Sequence, residues 1–329
     1  MAKEKTKIVF MGTPDFAVGI LKALFANKFN IVGVVTVPDK KSGRGLKVNT
    51  SAVKKYLLEK EKYQDGKIKL MQPILLKDPE FLEELESLQA DLFIVVAFRM
   101  LPKIVWSMPR LGTFNLHGSL LPKYRGAAPI NWAIINGETE TGVTTFMLDE
   151  KIDTGAILFY EKCPIGEKDN MEIIHDRLME IGADLVVKTA NKIISGEITP
   201  LAQKDTPEML IPAPKLTRET GAIDWENNAI QIDRLIRGLS PYPGAHSIIS
   251  NKGKETEVKI YSASISESKH KGEIGEIETD NKNYLSINCG EGTKIDIEEL
   301  QVAGKKRLKI KEFLAGLHDT SDLKFRKEK

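Results

Sequence analysis

The chain has 329 residues, enough for two domains that each bury a core of their own. A formal charge of +2 gives no general case for nucleic acid, so any RNA binding must come from local patches, and 41% hydrophobic with 29% charged residues is ordinary for a soluble globular protein. Cys163 and Cys289 are too few for a disulfide framework and neither lies near a His/Cys cluster that would suggest zinc, so no metal is expected and both read as buried thiols in a reducing compartment. The opening Met1-Ala-Lys-Glu-Lys-Thr6 is too polar for a signal peptide, and no apolar run approaches the roughly 18 residues of a membrane helix, which predicts a soluble, cytoplasmic protein.

In chain order, residues 7–11 have the pattern of a short buried strand closed by Gly12-Thr-Pro-Asp15, and Phe16, Ile20, Leu21, Leu24 and Phe25 then recur at helical spacing. Residues 31–37 form the next strand, so the chain opens as β-α-β, the unit of a parallel sheet. Gly12 stands alone instead of in G-x-G-x-x-G, which argues against a nicotinamide enzyme. Residues 39–47 follow at the carboxyl edge of the second strand, where open α/β sheets carry their binding loops. Lys40, Lys41, Arg44 and Lys47 put four positive charges on a loop loosened by Gly43 and Gly45, and a solvated turn and a binding loop fit it equally. Helices at 51–60 and 79–88 flank a strand at 68–71. Residues 91–97 are almost continuously apolar, as expected of a central strand covered on both faces, and run into Phe98-Arg-Met-Leu101.

Residues 112–118, Gly-Thr-Phe-Asn-Leu-His-Gly, suit a strand ending in a turn, with Asn115 and His117 on one face and Phe114 and Leu116 on the other. Ser119-Leu-Leu-Pro122 leaves the strand, and Tyr124-Arg-Gly-Ala-Ala-Pro129 makes a loop before an apolar helix at 130–135. Residues 141–148 read as a second strand, and just beyond it Asp153 precedes Thr154-Gly155. An amide, an imidazole and a carboxylate at strand ends suit acyl transfer to an amine. Asn115 can donate to a developing oxyanion, His117 can supply a cationic donor or move a proton, and Asp153 can hold the imidazole and accept the proton the amine loses. Each residue alone reads as well as a turn former, a satisfied histidine or a loop cap. The combination favours catalysis.

A strand at 157–161 and a long helix at 170–194 follow, the helix burying a stripe that includes Ile173, Ile174, Leu178, Met179, Ile181, Leu185 and Val186. His175 on this helix reads as a surface histidine. Residues 197–214 are proline-rich and aperiodic, a linker signature. From Lys215 onward, Ile223-Asp-Trp-Glu226 opens a helix at 229–239, and short strands at 247–249, 258–262, 275–278, 285–288 and 294–300 predict a small barrel or sandwich. Acidic and basic residues balance there, and only 304–311 and the lysine-rich C-terminus are locally basic.

Asn115-Leu-His117-Gly-Ser119-Leu-Leu-Pro122, Arg125-Gly-Ala-Ala-Pro129 and Asp153-Thr-Gly155 resemble the signature of the folate-dependent formyltransferases. The resemblance spans nearly the whole chain, and Met11-Gly-Thr-Pro-Asp-Phe16 points within that family to the branch acting on methionyl-tRNA. It implies transfer of the formyl group of 10-formyltetrahydrofolate to the amino group of methionine on initiator tRNA, with no membrane or obligate protein partner. It further implies a Rossmann-like, mostly parallel N-terminal domain over 1–196, a linker at 197–214 and an OB-like β-barrel for tRNA over 215–329. On this resemblance Asn115, His117 and Asp153 are the catalytic trio. Ser119, Leu120, Leu121, Pro122 and Asp149 would lie against the folate, and Phe98, Arg99, Met100 and Leu101 would frame its pterin, although the turn before Pro102 is about a residue shorter than the family pattern. Lys40, Lys41, Arg44 and Lys47 would grip the tRNA acceptor end, and Lys305, Lys306 and Arg307 would also bind the tRNA. The alternatives are a sugar-nucleotide formyltransferase with the same core, a purine-pathway relative to which the second domain would be superfluous, and an RNA-binding module with a retired active site.

Overall fold

The computed structural model describes residues 2–42, 47–204, 206, 210–317 and 323–327. By contacts the chain divides into two compact units, one of residues 1–129, 140–164 and 175–213, the other of residues 130–139, 165–174 and 214–329.

In chain order the elements up to the long helix are α1 (Ala2–Lys5), β1 (Lys7–Gly12), α2 (Asp15–Ala26), β2 (Asn30–Val35), β3 (Lys40–Ser42), β4 (Lys47–Asn49), α3 (Ala52–Leu58) and α4 (Glu61–Gln64). They continue with β5 (Lys69–Met71), α5 (Pro79–Ser87), β6 (Leu92–Val96), α6 (Lys103–Trp106), β7 (Thr113–His117), β8 (Arg125–Gly126), α7 (Pro129–Ile135), β9 (Glu140–Met147), β10 (Ile157–Pro164) and α8 (Met171–Ser195). Seven strands make one sheet in the order β10-β9-β7-β6-β1-β2-β5. The five from β7 to β5 are parallel, and β9 and β10 add an antiparallel edge. β6 is buried at all five positions, as its unbroken apolar run requires. One face packs Val9, Met11, Val35, Phe93 and Val95 against Phe81 and Leu85 of α5. On the other, Gly182 of α8 lets Leu116 approach the helix backbone closely.

The chain runs outward from β1 through β2 to β5 and then returns to β6 on the opposite side of β1. Strand order therefore reverses between β1 and β6, and the crevice beyond their carboxyl ends is where an open α/β sheet binds ligands. Residues 39–47, expected as a loop, contain the antiparallel hairpin β3–β4, and Gly43, Arg44, Gly45 and Leu46 lie outside the described residues. Ile173 is 38% exposed, so it leaves the predicted stripe of α8. His175 is no plain surface group: it is half-buried, edge-on to Phe16 at 5.3 Å, with Nδ1 2.9 Å from Asp176.

The remaining elements are β11 (Pro212–Ala213), α9 (Arg218–Gly221), α10 (Ala229–Leu239), β12 (Ala245–Asn251), β13 (Lys254–Ile265), β14 (Ile277–Thr279), β15 (Leu285–Asn288), β16 (Lys294–Val302), β17 (Leu308–Lys309), α11 (Ile310–Ala315) and β18 (Lys324–Arg326). The helix expected at 229–239 is α10 with those same bounds: Ile223 N, in the segment leading to it, donates to His246 O at 2.8 Å, and Asn228 and Gln231 form a reciprocal capping box at its start. An antiparallel sheet in the order β14-β15-β16-β13-β12-β18 curls until Glu276 bridges Lys324, giving a nearly closed barrel. Its core gathers Trp225, Ile232, Ile236, Ile260, Ile297 and Phe325, and Trp225 Nε1 donates to Ser247 Oγ at 2.9 Å. β17, β18 and α11 were not legible as elements in sequence.

Candidate active site

Asn115 is the third residue of β7, in register with Val95 on β6 and Phe146 on β9. Its Oδ1 is buried and has no hydrogen-bond partner among the described residues. A buried polar atom left open is costly, by about 1–3 kcal/mol, so this amide has bonding capacity held in reserve. His117 ends the same strand two residues on, on the same face, 6% exposed and edge-on to Phe146. Its Nε2 lies 2.8 Å from Tyr124 O. A carbonyl only accepts, so Nε2 carries the proton there, and Nδ1 is the nitrogen left to face Asp153 Oδ2 at 3.8 Å. That separation is too long for a hydrogen bond but short enough for charge to act on charge.

Asp153 occupies the excursion between β9 and β10, in the left-handed region at φ 55°. The excursion is tied at its start by Asp149, whose carboxylate accepts from Thr154 Oγ1 at 2.7 and 2.9 Å and from Lys151 N at 3.0 Å. At its end Gly155 presses on the backbone of Met147, where a Cβ would stand 1.6 Å from the carbonyl oxygen. Gly126 N donates to Asp153 Oδ2 at 2.9 Å. Gly126 itself has φ +127° because β11 passes directly over it: a Cβ there would meet Ala213 O at 2.4 Å.

The turn after β7 is fixed from within. Ser119 is fully buried, its Oγ donating to Lys123 O at 2.6 Å, and its carbonyl accepts from Thr144 Oγ1 at 2.7 Å. Leu120 fills the space over Gly142, Leu121 is buried, and Pro122 is half-buried. Beyond β6, Ala97 turns left-handed at φ 46° and leads to the half-buried Phe98. Arg99 donates to Pro73 O at 2.8 Å and Ile74 O at 2.9 Å, its Nε is buried without a partner, and burial pulls its pKa below the usual arginine value. Met100 is 75% exposed, whereas Leu101 is 7% exposed and packs in the core with Val95 and Val105.

The structure thus brings Asn115, His117 and Asp153 to one sheet edge, with Asp149 and Ser119 shaping the loops around them. Lys40 is exposed on the β3–β4 hairpin, which also carries the backbones of Lys41 and Lys47, while Arg44 lies outside the described residues. Lys305, Lys306 and Arg307 are exposed in the second unit, where Arg307 stacks on Tyr261 at 4.2 Å and pairs with Glu299 at 2.6 Å. Sequence reasoning missed the Tyr124 carbonyl, the Gly126 amide and Gln203. Gln203 Nε2 donates to Asp153 O and Gly155 O at 2.9 and 2.8 Å, and its Oε1 accepts from Arg125 Nη2 at 2.6 Å. It lies in the proline-rich stretch, where nothing periodic marks it.

An amide, an oriented imidazole and a carboxylate thus stand at the carboxyl end of β7 in a mostly parallel sheet. The chain belongs to the formyl transferase family: residues 6–190 match the formyl transferase domain and residues 215–318 the formyl transferase C-terminal domain. A curated methionyl-tRNA formyltransferase of Bacteroides fragilis is 48% identical over 329 residues, covering 99% of each chain, and that of Phocaeicola vulgatus is 50% identical over 327 residues, covering 98% of each. Among solved structures, a sugar 3N-formyl transferase superposes with a TM-score of 0.64 at 22% identity, covering 92% of this chain and 99% of the other. An N-formyltransferase from Helicobacter canadensis gives 0.65 at 22%, covering 89% and 98%. These two likenesses speak for the fold.

Proposed function

We propose that the protein transfers the formyl group of 10-formyltetrahydrofolate to the free amino group of methionine on initiator methionyl-tRNA, yielding formylmethionyl-tRNA for translation initiation. The observation that carries this reading is identity near one half, along almost the entire length, to curated methionyl-tRNA formyltransferases. The buried Asn115 amide supports it: its unpartnered Oδ1 would accept an N–H of the attacking amine, while its Nδ2 would donate to a formyl oxygen that gains charge. His117, with Nε2 spent on Tyr124, would present Nδ1 to the reaction, and Asp153 would balance an imidazolium and take the proton released by the amine. Ser119, Leu120, Leu121, Pro122, Phe98, Arg99, Met100, Leu101 and Asp149 form the folate surface of this proposal, with Arg99 and Asp149 acting through the loops they tie.

The tRNA contacts of the proposal are Lys40, Lys41, Arg44 and Lys47 in the first unit and, independently of these, Lys305, Lys306 and Arg307 in the second, with residues 215–329 serving as the tRNA domain. The competing substrate is an amino-sugar nucleotide, suggested by the folds of the solved relatives. The deciding experiment supplies 10-formyltetrahydrofolate with methionyl-tRNA or with an amino-sugar nucleotide. Formyl label is expected on the tRNA alone, and label on the sugar alone would overturn the proposal.

A further inference from the structure

We infer that Gln203 is a positioning residue of the catalytic centre, holding the Asp153 loop and the Arg125–Gly126 turn in one geometry so that the carboxylate meets His117. The inference rests on the proposed formyl transfer. Both ends of the Gln203 amide are used. Nε2 donates to two carbonyls, Asp153 O at 2.9 Å and Gly155 O at 2.8 Å, and Oε1 accepts from Arg125 Nη2 at 2.6 Å and Nε at 3.2 Å. Carbonyls only accept and a guanidinium only donates, so these partners allow one amide orientation.

The bonds close a circuit around the carboxylate. Gln203 holds the Asp153 carbonyl, Gly126 N holds the Asp153 Oδ2 at 2.9 Å, and Arg125, one residue before Gly126, returns to Gln203. Asp153 sits at φ 55°, a conformation unfavourable for a non-glycine residue that persists only where its surroundings over-determine it. The backbone on either side of Gln203 is pinned to the same unit. Leu201 exchanges hydrogen bonds with Ile157 at 2.7 and 2.8 Å, and Pro212–Ala213 of β11 pair with Arg125–Gly126 of β8. Two of the four side-chain bonds end on the loop of the proposed proton acceptor, one of them on Asp153 itself, so a displacement there is read directly by the distance to His117.

Glutamate at this position would keep an acceptor for Arg125 and set a second carboxylate oxygen against two carbonyls. Alanine would remove both ties. The test uses the full chain with Gln203→Glu, Gln203→Ala and each combined with Asp153→Asn. In Gln203→Ala, kcat for the formylation of methionyl-tRNA is expected to fall by about 10- to 100-fold with little change in either KM, as for a misplaced catalytic group. Gln203→Glu should fall with it, and neither change should reduce kcat further once Asp153 is Asn, because the two act as one unit. A second readout needs no substrate: the imidazole 15N resonances of His117 should move in Gln203→Ala towards those of Asp153→Asn. Wild-type kcat with unmoved resonances would overturn the inference, as would a loss that multiplies in the double variant, the mark of a general structural defect. The turnover of the wild type reports separately on the proposed reaction, and the resonances decide the role of Gln203 even if that reaction proves to be another.

Discussion

The two units use the same unusual backbone conformation for different ends. Among the described residues of the second unit, the left-handed non-glycine positions are Lys252, Asn281 and Glu291, all in tight turns of the barrel. Lys252-Gly253 joins β12 to β13 with positive φ at both residues, the requirement of a hairpin turn whose twist matches its strands. In the first unit Lys28 and Gln89 follow helix ends, where the conformation is routine. Ala97, Tyr124 and Asp153 have no such excuse: they sit in the connections around the candidate site. In the barrel a left-handed residue closes a ladder. Around Asn115 and His117 it aims a carbonyl and a carboxylate at an imidazole.

The hardest test of that contrast is chemical. His117→Ala and Asp153→Asn are each expected to lower kcat by about 10²–10³-fold with little effect on thermal stability, as measured by methionyl-tRNA turnover beside a melting curve. Turnover near wild type in His117→Ala would remove the basis for separating the two kinds of turn. A sharper comparison sets one glycine of each kind side by side. Gly126→Ala forces a Cβ to 2.4 Å from Ala213 O and displaces the amide that holds Asp153, so kcat should drop by roughly tenfold or more. Gly253→Ala meets nothing within 4 Å and should cost only the strain of φ +77°, about 1 kcal/mol of stability, with unchanged kcat.

Two smaller effects probe the barrel alone. Burial pushes the Cys289 thiol up to about 12, so iodoacetamide near pH 8 should leave it unmodified until the protein is unfolded. Labelling of Cys289 in the native protein, read by peptide mass, would show that the barrel opens. Asp280 accepts from Asn283 N at 2.7 Å, Asn283 Nδ2 at 2.8 Å and Lys282 N at 2.9 Å, which holds its carboxyl well below the usual carboxylate range. A lowered folded-state pKa contributes stability that is complete above the unfolded value of about 3.9 and is lost as pH falls below it. Asp280→Ala should therefore speed amide exchange in the β14–β15 hairpin near neutral pH, lose that difference in strong acid, and leave kcat alone.

Much of this molecule was determined by the sequence alone. The β-α-β opening, the all-apolar β6, the alternation that puts Asn115 and His117 on one face of β7, and the Asp-x-Gly beyond β9 are local patterns with local causes. Side-chain period and burial dictate them, so they can be read without a structure. Lys40–Ser42, expected in a loop, form a strand because the ladder they make with Lys47–Asn49 outweighs their local character. β17, β18 and α11 are short, and their order comes from partners such as β16 and β12. What tertiary structure alone decided is which nitrogen of His117 faces Asp153, and what holds Asp153 in place. Those answers depend on Tyr124, Gly126 and Gln203, the last of them 50 residues beyond the aspartate whose backbone it bonds. Hydrogen bonds between segments so far apart leave no period in the chain, because loop closure costs entropy that grows only slowly with length and lets partners come from almost anywhere.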